Sequence, residues 1–315
     1  MPTWILVALL GYLFLAVTGV TDKFLVSKVV RAPVAYAFYT AITGPFSLVL
    51  LLFGGVVPNL PTFLIALAAG ASMIVGIYFS YSAIGKTSVS RVVPIQGGLV
   101  PMFSFILAYL VLGERLTITQ TSGFLFLVLG AVMISFRKED QGWKNEALFH
   151  AALSALFFAT TSVFTKYTFV HSNDAGSMVI RSLFPFHISA SFITGLVWPS
   201  LGFLLPVLPI LAFKQNRTKI FSAPKEAGVR NVALYYTSRG FGTTGGFLQK
   251  YAVFLGSVSV VNALQGMQFV FLLALTTWFS LYYPRVLKER INLETIALKL
   301  SAIVFISIGL FLITK

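Results

Sequence analysis

Arg239 stands nine or ten residues into an apolar segment that runs from about 229 to 255. As a helix this places it about 14 Å in, near the middle of any bilayer the segment crosses. A guanidinium cannot shed its proton, and its planar fork of donors suits a carboxylate or a phosphate. At that depth it needs freed backbone carbonyls, water or an anionic ligand. His187 is similarly deep in the segment 175 to 198, just after Pro185, and Arg181 is one and a half turns shallower. Six residues amount to about 600° of helical rotation, so the two face different ways unless Pro185 breaks the helix. His187 reads either as a proton relay or as a packed, hydrogen-bonded ring.

Gln96 and Gln265 each lie about seven residues in from opposite ends of their segments, about 10 Å deep. That leaves about 10 Å between their levels, room for a small metabolite. Interhelical hydrogen bonding is the competing role for both. Asn262 and Gln268 share the segment of Gln265, and Tyr39, Tyr78, Tyr81, Tyr235 and Tyr236 are available to line a cavity, although aromatics here mostly pack or anchor. Lys23, Lys166 and Lys250 come about 30 Å along their helices, where a long side chain reaches the headgroups. All nine acidic residues fall in loops or near segment ends. A cavity without a central carboxylate suits an anionic, zwitterionic or neutral solute better than a lipophilic cation.

The elements that must hold these residues are set by composition. With 57% hydrophobic residues, 10% charged residues and a mean hydropathy of +0.88, the chain has too much apolar surface for a soluble core. Apolar segments at about 4–27, 33–55, 62–84, 89–111, 117–136, 146–169, 175–198, 229–255, 258–282 and 292–314 predict ten transmembrane helices. The first lacks a basic leader and a cleavage site, so it reads as a retained helix. Cysteine is absent, which removes thiolate and disulfide chemistry. No cofactor or metal is expected.

The chain also repeats itself. Ser88–Gly97 (Ser-Val-Ser-Arg-Val-Val-Pro-Ile-Gln-Gly) returns as Ser257–Gly266 (Ser-Val-Ser-Val-Val-Asn-Ala-Leu-Gln-Gly), and Glu114-Arg115 as Glu289-Arg290. Lys23 matches Lys166, and Gly76 matches Gly245. The repeat is five helices long, residues 1–140 and 141–315, and an odd number of crossings turns the second copy upside down around a central cavity. The second copy carries an insertion at about 199–224, expected to extend helix seven and then form a basic loop, with an eleventh crossing open. The match to Arg239 in the first copy is Gly70. Around Arg239, the run Gly240–Gly246 fits either an unwound helix or close packing through Gly242 and Gly246.

Counting alternate connections places fifteen of the 23 Lys and Arg on one face and only Arg115 and Lys315 on the other, with both termini. The basic face is then cytoplasmic and the termini point away from it. The net charge of +14 is read as this asymmetry rather than as nucleic-acid binding.

Tyr81-Ser-Ala-Ile-Gly-Lys-Thr-Ser-Val-Ser-Arg-Val-Val-Pro94, then Pro101, Leu112-Gly-Glu-Arg-Leu-Thr117, Gln120, Gly123 and Gly130, resembles the EamA type of the drug/metabolite transporter superfamily. The resemblance implies ten helices, two inverted halves, a central cavity, termini in the cytoplasm (opposite to the charge count), and export or exchange of small metabolites without ATP. No P-loop is present. The leading expectation is a secondary transporter working by alternating access. The alternative is a flippase or carrier of a lipid-linked, phosphate-containing substrate, which an opening to lipid between helices would favour. A scaffold without transport is a third reading. An enzyme is disfavoured, since the chain has no Gly-x-Ser-x-Gly, no His-Glu-x-x-His and no paired central carboxylates. The expected location is the cell (cytoplasmic) membrane, and the expected partners are a small-molecule substrate and the lipid bilayer, with a homodimer left open.

Overall fold

Hydrocarbon offers a backbone no hydrogen-bond partner, so long apolar runs satisfy their own N–H and C=O groups by coiling. The computed structural model describes residues 2–28, 33–87, 89–135, 145–172, 189–227, 229–282 and 293–314. Its elements are α1 (Thr3–Lys28), α2 (Pro33–Ala41), a 3-10 helix (Gly44–Phe53), α3 (Leu60–Lys86), α4 (Val89–Leu112), α5 (Ile118–Ser135) and α6 (Asn145–His171). These are followed by α7 (Ala190–Gly202), α8 (Val207–Ala212), α9 (Lys214–Ala227), α10 (Val229–Leu255), α11 (Val258–Ala263), α12 (Gln265–Tyr282) and α13 (Leu293–Thr314). There is no strand among the described residues. Among the described residues, seven stretches are long and apolar enough to cross a membrane: 3–21, 33–53, 60–86, 95–112, 145–171, 190–212 and 258–278. The chain is an all-helical, polytopic membrane protein.

Each of the ten expected segments carries helix, but three stretches differ from expectation and a fourth decides between two readings left open. The segment 33–55 splits, because Pro45 starts a second helix and Gly44 lies so close to α7 that a Cβ there would meet the Ser200 carbonyl at 2.1 Å. The segment 258–282 breaks at Leu264, between α11 and α12. The basic run of the insertion is not a loop but the helix α9. The glycine-rich run after Arg239 stays inside α10 without unwinding. Gly242 and Gly245 there meet Thr18 and Leu15 of α1, whereas Gly240 and Gly246 face open space. Close packing, through Gly245 rather than Gly246, accounts for the run.

The ends of the helices are closed by side chains that the sequence already places. Asn59 caps α3 by accepting from the Thr62 N–H at 3.1 Å. Thr117 and Gln120 form a reciprocal capping box at α5, the Thr117 N–H donating to Gln120 Oε1 at 3.0 Å and the Gln120 N–H to Thr117 Oγ1 at 3.2 Å.

Packing follows a pattern that occurs twice. α1 lies along α10, and α3 lies along α6. Thr18 Oγ1 is within 3.1 Å of the Phe14 carbonyl and 3.5 Å of the Ser238 carbonyl of α10. Thr161 Oγ1 is likewise within 2.9 Å of the Phe157 carbonyl and 3.1 Å of the Ala69 carbonyl of α3. Gly245 packs on Leu15, and Gly76 packs on Phe158. The offset from Lys23 to Lys166 and that from Gln96 to Gln265 carry every member of the first set onto the second.

Candidate functional site

Arg239 comes from α10 and lies over the ring of Tyr36 in α2, with Cζ 5.1 Å from the ring centroid. Tyr36 stacks in turn on Tyr81 of α3, the ring centroids 3.9 Å apart and the planes 29° from parallel. Tyr36 is buried, and Arg239 and Tyr81 are partly buried. A ring face attracts a cation through its quadrupole, for about 1–2 kcal/mol where water is excluded, and leaves the charge in place. The cluster therefore joins a fixed cation to two aromatic faces drawn from three helices.

Sequence dictates why the cluster is one-sided. The offset that relates Gln96 to Gln265 also relates Gly70 to Arg239, and the two positions pack differently. Gly70 lets α3 and α7 touch backbone to backbone, since a Cβ there would sit 1.7 Å from the Pro199 carbonyl, and a Cβ at Gly202 would sit 2.1 Å from the Leu67 carbonyl. On the opposite side α10 meets α2 through a guanidinium and a tyrosine ring. One crossing is sealed by glycine, and the other holds chemistry.

The other predicted residues distribute as follows. Gln96 Nε2 donates to Ser80 Oγ at 2.9 Å and to Ser154 Oγ at 2.6 Å, tying α4 to α3 and α6. Ser80 adjoins Tyr81 in sequence, so Gln96 braces the turn of α3 that carries the stacked ring. Asn262 is buried and donates to Ser104 Oγ at 2.7 Å, joining α11 to α4. Beside it, Tyr12 donates to the Val261 carbonyl at 2.7 Å and accepts from Gln249 Nε2 at 3.1 Å. Gln265 is half-buried at the start of α12, immediately after the break at Leu264. Arg181 and His187 lie outside the described residues. Of the other tyrosines, Tyr39 donates to the Ile220 carbonyl at 3.0 Å, Tyr78 and Tyr236 are exposed, and the side chain of Tyr235 is outside the described residues.

Sequence reasoning brought Arg239 and Tyr81 forward but missed Tyr36, which joins them. It also read Lys166 as reaching for headgroups. Lys166 Nζ instead donates to the carbonyls of Val253, Phe254 and Gly256, at 2.8, 3.0 and 3.0 Å, closing the end of α10. A signal was present: Gly256-Ser257 marks a helix end followed by an N-cap, and such an end leaves carbonyls that a lysine satisfies.

No group of three or more His, Asp or Glu capable of holding a metal occurs among the described residues. Solved structures that share the fold include one titled "Crystal structure of protein", 14% identical, with a TM-score of 0.63 over 99% of this chain and 98% of that one. No curated protein matches significantly. Residues 2–136, the stretch from α1 to the end of α5, match the EamA-like transporter family, which belongs to the drug/metabolite transporter superfamily.

Proposed function

We propose that this protein is a secondary transporter, an exporter or exchanger, of a small anionic metabolite. Two inverted five-helix halves, ten crossings in all, alternate access to a site between them. The family match to residues 2–136 supports a membrane transporter of small molecules. The equivalent contacts made by Thr18 and by Thr161, and by Gly245 and by Gly76, support the duplication, and five crossings per copy require inversion.

The observation that carries the substrate class is Arg239 of the second half lying over Tyr36 of the first. A contact of a fixed charge placed where the two halves meet is made and broken as the halves rock, which is what a substrate anchor requires. Guanidinium geometry selects carboxylate or phosphate. The test is thermal-shift screening of the purified protein against carboxylates, phosphate esters and cationic amines, followed by counterflow of any stabilising compound in proteoliposomes. A ligand at about a hundred times its Kd adds about 2.7 kcal/mol of stability. An anion should stabilise the protein, Arg239→Ala should abolish stabilisation and counterflow, and Arg239→Lys should be intermediate. Stabilisation by cations alone would overturn the reading.

A further inference from the structure

The insertion that interrupts the second copy forms a surface helix with a composition unlike the rest of the chain. α9 carries Lys214, Arg217, Lys219 and Lys225, and between Asp174 and Glu226 the sequence has no acidic residue. Its periodicity sorts these residues. Lys214, Arg217, Thr218 and Phe221, spaced i, i+3, i+4 and i+7, share one face, and all four are exposed. Lys219 is also exposed but stands about 150° round the helix from the centre of that face. The opposite face is fastened to the protein: Ile220 is fully buried, its carbonyl accepts from Tyr39 of α2, and Asn216 Nδ2 donates to the Ile210 carbonyl at 3.1 Å. Large apolar groups crowd the outer side, with Phe221 60%, Phe213 66% and Leu208 75% exposed.

An aromatic ring set between cations, next to a stretch apolar enough to cross the bilayer (190–212), fits one occupant. Phenylalanine enters the acyl boundary while lysine and arginine stay with the headgroups. We propose that the outer face of α9 is an interfacial binding site for anionic lipid, Phe221 inserting and Lys214 and Arg217 contacting phosphate. A partner of opposite charge is required, and the leaflet supplies it along the whole helix. The inference holds whatever the transported substrate is.

The chain has no cysteine, so Thr218→Cys carries a single environment-sensitive fluorophore on this face. The labelled protein is reconstituted in phosphatidylcholine with an equal amount of phosphatidylglycerol, and quenching by spin-labelled phosphatidylglycerol is compared with quenching by spin-labelled phosphatidylcholine. Each cation near an anionic surface favours the anionic lipid by about fivefold. Quenching by phosphatidylglycerol should therefore exceed that by phosphatidylcholine several-fold, and the excess should vanish in high salt and in the double variant Lys214→Gln, Arg217→Gln. These substitutions leave Ile220 and Asn216 in place, and an unchanged melting temperature verifies folding. Equal quenching by the two lipids, no quenching by either (a helix facing water or a protein partner), or an excess that survives in the double variant would each overturn the proposal.

Discussion

Glu114 accepts the Ser257 hydroxyl at 2.5 Å, which joins the Gly-Glu-Arg motif of the first copy to the Ser-Val-Ser motif of the second. The same carboxylate accepts from the Val258 and Ser259 N–H groups at 3.3 and 3.4 Å. Gly113 makes this reach by ending α4 with φ +65°, a conformation only glycine adopts without strain. Lys166 meanwhile holds the last carbonyls of α10. The break at Gly256-Ser257 is thus gripped by a carboxylate on its donor side and an ammonium on its acceptor side, the arrangement that the exposed backbone groups of helix ends favour. Glu114→Ala and Lys166→Met should each lower unfolding stability by about 2 kcal/mol. The double variant should lose less than the sum, because both residues hold one break. Unfolding in detergent measures this, and strict additivity would show that the two caps act independently.

Tyr36 sits between a cation and a second ring, so its ring matters more than its hydroxyl. Tyr36→Leu and Tyr81→Leu should weaken binding of the stabilising anion by about tenfold, the equivalent of one cation–π contact. Tyr36→Phe should keep most of the affinity. The ligand-concentration dependence of the thermal shift reads this directly, and equal losses in the Phe and Leu variants would reject the stacking role.

What the sequence reveals here is what local chemistry decides. Apolar run length placed the helices, Asn59 and Ser257 stand where caps must, and depth alone brought Arg239 forward. Tyr36 was illegible for a physical reason. It belongs to the aromatic run Tyr36-Ala-Phe-Tyr39, and helical periodicity says which of these share a face but not which face meets the other half. The three carbonyls under Lys166 belong to a helix more than eighty residues away in sequence, so only the tertiary fold brings them together. α9 was hidden by Pro224 and by its polar composition, both of which read locally as loop. The break at Leu264 has no glycine or proline before it, and the first copy runs through the matched place as the continuous helix α4.

Backbone contact between α3 and α7 yields a prediction of opposite sign at different glycines. Gly70→Ala and Gly202→Ala would drive a methyl group into a carbonyl at 1.7 or 2.1 Å. Both helices must then separate, and the loss should be at least about 1–3 kcal/mol. Gly246 is also helical but faces open space, so Gly246→Ala should be neutral or add up to about 1 kcal/mol through helix propensity. Melting temperatures of the three variants decide it.

Gln96 and Gln265 occupy matched positions but carry different bonds. Gln96→Leu strips two serine hydroxyls of their donor and should lower stability by about 1–3 kcal/mol. Gln265 has no comparable pair of serines among the described residues. Its replacement by Leu should lower counterflow of the transported anion with a smaller effect on folding. Reversal of that order, with Gln265→Leu the less stable and Gln96→Leu the poorer transporter, would exchange their roles.

Orientation is decided by where the cations lie, and α9 makes the argument concrete. Lys and Arg in short connections are retained on the cytoplasmic side during insertion. The segment joining α8 to α10 is short and carries Lys214, Arg217 and Lys219 exposed on its helix. Counting alternate crossings of the proposed ten-helix plan puts these on the same face as Lys86, at the end of α3, which pairs with Glu146 at the start of α6. Fifteen cations on this face against two on the other predict that α9 is cytoplasmic and that the C-terminal residues after α13 are not. Single cysteines at Thr218 and Thr314 test it without background, since the chain has none of its own. An impermeant thiol reagent added to intact cells should label Thr314→Cys and spare Thr218→Cys until the membrane is opened. Labelling of Thr218→Cys from outside, with Thr314→Cys protected, would place the termini in the cytoplasm, as the family resemblance implies, and would put the lipid-facing side of α9 on the outer leaflet.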